Sequence, residues 1–179
     1  MSGASTYVQR TAPWWRTALN LVEAGVFYAV MGLFRVLGVD RASALGGAIA
    51  RTIGPLLPVS RRAHENLMLA LPHLSAAERE RIVRAMWDNL GRTFAEYPHF
   101  DAFHGYEPGG RLTVLDAEIA DAALARGKGT IFFSGHFANW ELMPMAARHR
   151  GYEGVVVYRP PNNPYVDQWM VRQRSRYTF

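Results

Sequence analysis

The stretch HFANWE, residues 136–141, places an imidazole and a carboxylate with four residues between them. An imidazole with a pKa of about 6.5 can take the proton of a hydroxyl as that hydroxyl attacks an activated carbonyl. A carboxylate on the other ring nitrogen fixes the tautomer and stabilises the imidazolium that forms. No nucleophilic side chain is needed if the acceptor's own hydroxyl attacks. A second stretch, HLSAAE at 73–78, has the same spacing. With 6 His and 15 Asp+Glu in 179 residues, chance supplies about 0.5 such pair, so spacing alone does not choose between them.

The flanking residues do. Ile131-Phe132-Phe133-Ser134 predicts a buried strand, Gly135 allows a tight turn, and His136 then emerges at the strand's carboxyl end, where functional loops of parallel sheets lie. Asn139 is expected to cap the following helix, with Glu141 in its first turn, where the dipole favours the carboxylate. A loop histidine can fold back onto such a glutamate, whereas residues five apart within one helix point about 140° apart. Pro144 predicts a late start or a kink. In HLSAAE, by contrast, Ser75 and Glu78 read as a capping box, which gives that carboxylate a structural task. Ser134 is the one serine beside the motif, but it reads as the end of a buried strand rather than as a nucleophile. A catalytic zinc takes three protein ligands, and no HExxH helix or equivalent triad is present, so no metal and no cofactor are expected.

The elements around the motif predict an α/β fold. From residue 111, short apolar runs alternate with helical ones: RLTVL, DAEIADAALARGKG, TIFFS, a helical stretch, then VVVY. Alternation of this kind implies βαβ units and a mixed or parallel sheet flanked by helices. Upstream the pattern is helical, most clearly after Ser75, where Ile82, Met86, Leu90 and Phe94 recur at intervals of four. Residues 18–37, ALNLVEAGVFYAVMGLFRVL, carry only Glu23 and Arg35 as charges and follow Trp14 and Trp15. Twenty such residues at about 1.5 Å each just match a bilayer, and paired tryptophans suit its interface, so this segment reads as an anchor that spans or lies in the membrane.

The chain has no cysteine, which rules out disulfides, thiolate ligands and a cysteinyl acyl-enzyme. Its basic residues are 19 Arg and the single Lys128, for a net charge of +5. An excess of this sign favours anionic partners. No aromatic-interleaved basic motif, zinc finger or basic helix points to nucleic acid.

GHFANWE, followed by VYRPPNNPYVDQWMVRQRSR, resembles the lipid A biosynthesis acyltransferases of the lauroyl/myristoyl type, in the lysophospholipid acyltransferase superfamily. The apolar N-terminal helix, the Arg-rich segment leading into Asn66-Leu67 and Leu71-Pro72, and the helix after it agree. The resemblance implies transfer of a fatty acyl group from acyl carrier protein to a hydroxyl of a Kdo-bearing, phosphorylated lipid A precursor, at the cytoplasmic face of the bacterial inner membrane. His136 takes the place of the general base and Glu141 that of its partner. Arg159 matches the family arginine expected to hold anionic groups of the substrate, and Asn139 joins it as a substrate contact with a capping role. The implied fold is glycerolipid acyltransferase-like, with residues 1–40 as membrane anchor and 41–179 as the N-terminal part of the acyltransferase domain, its C-terminal half missing. Sister readings are acylation of another glycolipid or a lysophospholipid, or an inactive truncated membrane-associated remnant.

Overall fold

The computed structural model describes residues 13–177, so residues 1–12 of the expected anchor segment lie outside the described residues. Among the described residues seven α-helices follow one another: α1 Trp14–Leu37, α2 Val39–Ile53, α3 Ser60–Ala70, α4 Ala76–Glu96, α5 Ala117–Leu124, α6 Leu142–His149 and α7 Pro164–Tyr177. Helical 3₁₀ turns at Gly54–Leu56 and Tyr97–Ala102 follow α2 and α4.

The centre of the molecule is the crossing of α2 and α4. Their backbones touch at Gly46 and Gly91: a Cβ built on Gly46 would lie 2.5 Å from the Gly91 carbonyl oxygen, and one on Gly91 would lie 2.2 Å from that of Gly46. Ala42, Ser43, Gly46 and Gly47 form the buried face of α2, so its small residues are what let α4 approach. The start of α4 is the expected capping box: Ser75 Oγ accepts from Glu78 N at 3.3 Å, and Glu78 Oε2 accepts from Ser75 N at 2.7 Å. Further along, the buried side chains are Val83, Thr93 and Ala95, while Met86 and Phe94 are exposed. The inward face is therefore rotated from the predicted stripe, because α4 is covered by the flat glycine face of α2 rather than by bulky side chains.

Helix α1 turns into α2 at Gly38, whose φ of 76° is a left-handed conformation that glycine adopts without steric cost. Ala24, Met31 and Phe34 of α1 are buried. Met31 and Phe34 pack with Ala42 and Ala95, and Trp169 of α7 closes this cluster. A second cluster, Tyr97, Phe100, Phe103 and Met145, also receives Trp169. One indole thus links the α1–α2–α4 core to the region that carries residues 136–141. Its ring meets Phe27 edge to face at 5.1 Å.

The predicted α/β fold is not found. Among the described residues the single β-pairing is an isolated parallel bridge between Gly105 and Leu112, and no sheet forms. Segments 130–134 and 155–158 carry no strand or helix assignment, and their apolar side chains face outwards: Ile131 is 88% exposed and Val157 100%. Apolar, β-branched composition gives a run the propensity for a strand, but a strand exists only when a neighbour accepts its backbone hydrogen bonds. These runs have no such neighbour among the described residues.

Candidate active site

Glu141 is 3% exposed, and its burial follows from the local chain. The expected late helix start occurs: α6 begins at Leu142, so Pro144 takes its third position, where no intrahelical N–H is required. Met145 and Ala146 are buried, and Met145 seats α6 in the second apolar cluster. Asn139 does not cap α6 as predicted. Its carbonyl accepts Leu142 N at 3.1 Å, its Oδ1 accepts Glu141 N at 3.2 Å, and its Nδ2 donates to Glu96 Oε2 at 2.7 Å. Asn139 therefore ties the loop to the end of α4.

The Glu141 carboxylate is surrounded by donors from three elements. Oε1 accepts the Tyr97 hydroxyl at 2.5 Å, the Trp140 Nε1–H at 3.1 Å and an Nη2–H of Arg174; Oε2 accepts Arg174 Nε–H at 3.0 Å. Arg174 Nη2 also donates to the Tyr97 hydroxyl at 3.3 Å. The guanidinium lies over the Tyr158 ring, 4.4 Å from its centroid. Helix α7 holds Arg174 there because Asn163 Oδ1 caps it, accepting from Tyr165 N and Val166 N at 3.1 and 3.4 Å, while Trp169 and Met170 pack into the core.

These contacts set the electrostatics. Burial works to raise the Glu141 carboxyl, but the hydrogen bonds from Arg174 and Tyr97 outweigh it, and the group lies below the usual glutamate range. Burial and the adjoining carboxylate push the Tyr97 phenol far up, so it stays a neutral donor. The Tyr158 hydroxyl, partly buried and donating to Asp167 at 2.5 Å, is pushed up to about 12. The result is an ionised, buried carboxylate with fixed donors, a preorganised arrangement that costs no reorganisation during a reaction.

His136 is exposed, and its ring meets the Trp140 indole at 4.6 Å between centroids, 63° from coplanar. No hydrogen bond joins His136 to Glu141 among the described residues. Trp140 lies against both: its ring meets the imidazole at a steep angle and its N–H meets the carboxylate. Arg159 is exposed beside Tyr158 and forms no hydrogen bond among the described residues. His73 is likewise exposed, and Glu78 is occupied by its cap.

Sequence reasoning missed Tyr97 and Arg174. Arg174 sits in VRQRSR, where Arg172, Arg174 and Arg176 are alike by composition; only the turn of α7 selects the one that faces Glu141. Tyr97 directly follows α4, one residue short of the next position of its four-residue repeat. A contact across 44 residues leaves no local signal.

The sequence profile of the bacterial lipid A biosynthesis acyltransferases matches residues 16–179. No curated protein and no solved structure matches the chain.

Proposed function

The chain belongs to the bacterial lipid A biosynthesis acyltransferases and is an acyltransferase, and from that premise we propose that it moves a fatty acyl group from acyl carrier protein to a hydroxyl of a Kdo-bearing, phosphorylated lipid A precursor. His136 is the general base. It takes the proton of the acceptor hydroxyl as the oxygen attacks the thioester carbonyl, and it returns that proton to the departing thiolate as the tetrahedral intermediate collapses. Glu141 is its carboxylate partner. Oε2, which accepts Arg174 Nε–H, keeps a lone pair for a ring N–H of His136. Arg159, charged and exposed next to Tyr158, holds an acceptor phosphate through its planar fork.

The observation that carries this reading is the ionised carboxylate of Glu141, buried and oriented by Tyr97 and Arg174 five positions from an exposed histidine. Such a group can stabilise an imidazolium through a proton transfer without itself taking the proton.

The membrane side of the proposal rests on α1, the one described helix long and apolar enough to cross a bilayer. A stripe of Trp15, Leu19, Val22, Val26 and Leu33 is exposed along it. Fastenings run beside the stripe. Asn163 Nδ2 donates to Asn20 O at 2.8 Å and Glu23 Oε2 at 3.1 Å, Tyr28 donates to Tyr165 O at 3.1 Å, and Arg35 forms a two-pronged pair with Asp101 at 2.7 Å. A helix tied to polar partners along this length fits an orientation in the interface plane, stripe towards the acyl chains, better than a free crossing. The catalytic face then meets its lipid acceptor at the cytoplasmic side of the inner membrane.

The test is acyl transfer by the membrane-bound protein with acyl carrier protein or coenzyme A thioesters, offered a Kdo-bearing phosphorylated glycolipid or a lysophospholipid. The expected product is the acylated glycolipid, formed from the carrier-protein donor. Acylation of the lysophospholipid alone, or transfer from coenzyme A alone, contradicts the assignment.

A further inference from the structure

We propose that one polar edge of α4, formed by Asn89, Thr93 and Glu96, positions the 136–141 loop for catalysis; the proposal rests on the reading of His136 as base. These residues stand at intervals of four and three, so they share one face of the helix. They meet consecutive loop residues. The Ala138 carbonyl accepts Asn89 Nδ2–H and the Thr93 hydroxyl, each at 3.2 Å. Glu96 Oε2 accepts Asn139 Nδ2–H at 2.7 Å, while its Oε1 accepts Ser43 Oγ–H from α2 at 2.7 Å. Tyr97, the next residue on that face, takes Glu141 itself.

Ala138 shows why such a grip is needed. Its φ is 44°, a left-handed conformation that alanine rarely adopts because Cβ crowds the carbonyl oxygen. Strained residues of this kind persist only where surrounding contacts over-determine them. Ala138 lies between His136 and Glu141, so its turn sets where the imidazole stands relative to the carboxylate. Two donors on its carbonyl hold that turn. One of them, Thr93, is 1% exposed, and its single O–H is shared between the Asn89 carbonyl oxygen of its own helix, at 3.0 Å, and that of Ala138, at 3.2 Å. Asn89, Thr93 and Glu96 touch no reacting atom in this scheme and act through residues 138, 139 and 141.

Thr93→Val keeps shape and burial but removes the donor. Small displacements of catalytic groups are costly, so kcat is expected to fall about 10- to 100-fold with KM unchanged. Thr93→Ser restores it. Adding Ala138→Gly to Thr93→Val also recovers turnover, because glycine holds a positive φ without the grip. Asn89→Ala, at the less buried end of the face, lowers kcat in the same sense and guards against a folding failure at Thr93. Amide exchange at residues 139–141 reads the loop independently of chemistry: it quickens in Thr93→Val and slows again in Thr93→Ser. Wild-type kcat in both Thr93→Val and Asn89→Ala overturns the proposal, as does a loss that neither Thr93→Ser nor Ala138→Gly repairs. His136→Ala is measured alongside: turnover retained there removes the base assignment, whereas turnover lost there with Thr93→Val and Asn89→Ala unaffected removes only the positioning role.

Discussion

Arg174 Nε–H meets Glu141 Oε2 at 3.0 Å across 33 residues of sequence, with a second N–H of the same guanidinium on Oε1. Both side chains are largely withdrawn from water. Breaking a buried pair from one side leaves an uncompensated charge, which typically costs about 3–5 kcal/mol. Arg174→Ala is therefore expected to lower the unfolding free energy, measured by urea titration, by that much and to reduce turnover. Arg174→Lys keeps the charge but not the fork, and should recover stability more than activity. Equal stability of Arg174→Ala and wild type in urea contradicts the pair's role.

The same pair fixes a pH dependence. The Glu141 carboxyl is held below its ordinary value of 4.5 in the folded chain, because hydrogen bonds from Arg174 and Tyr97 outweigh the upward pull of burial. The unfolded chain then binds that proton more readily. The stabilisation is full above about pH 4.5 and is lost as pH falls through the lower folded value. Asp40, Glu78, Asp101 and Asp121 are held down too, so acid sensitivity is shared. Comparing Glu141→Gln with wild type isolates one share: its melting temperature should fall less steeply below pH 4.5. Parallel curves contradict the linkage.

Local signals in the sequence were enough for some of this architecture. Ser75 and Glu78 define a helix start within four residues, and both reciprocal bonds form. Pro144 cannot donate a backbone hydrogen bond, which delays α6 to Leu142 as expected. The apolar stretch with paired tryptophans is the helix Trp14–Leu37. The runs at 131–133 and 155–157 have strand composition yet pair with nothing described, since composition carries propensity but not the partner. Within the site, spacing does not separate His136 and Glu141 from His73 and Glu78; the capping box does, because it occupies the Glu78 carboxylate. That Trp140 lies against both His136 and Glu141, and that Tyr97 and Arg174 hold the Glu141 carboxylate, depends on how α4 and α7 are turned about their axes.

For α1, the exposed stripe should be the membrane contact. Val22→Glu combined with Val26→Glu puts two charges on it without touching the buried Ala24, Met31 and Phe34. Co-sedimentation with anionic phospholipid vesicles is expected to fall at least tenfold at moderate salt, where screening weakens arginine contacts but not apolar burial. Unchanged sedimentation would place the membrane contact elsewhere.

Arg159 offers a narrower test. It is exposed, so its replacement should leave the melting temperature within about 2 °C of wild type. Arg159→Lys retains charge without the bidentate fork and should raise the acceptor KM for a phosphorylated glycolipid. The effect should vanish with an acceptor lacking the phosphate. A KM that is unchanged for both acceptors returns Arg159 to an ordinary surface charge.

The assignment of general base catalysis to residues 136 and 141 meets its most direct test in the two stretches that share one spacing. Turnover and melting temperature are measured for His136→Ala and His73→Ala in the membrane-bound protein. The expected result is loss of about 10²–10⁴-fold in kcat for His136→Ala at an unchanged melting temperature, with His73→Ala at wild-type turnover. Wild-type turnover in His136→Ala, or a comparable loss in folded His73→Ala, would contradict it.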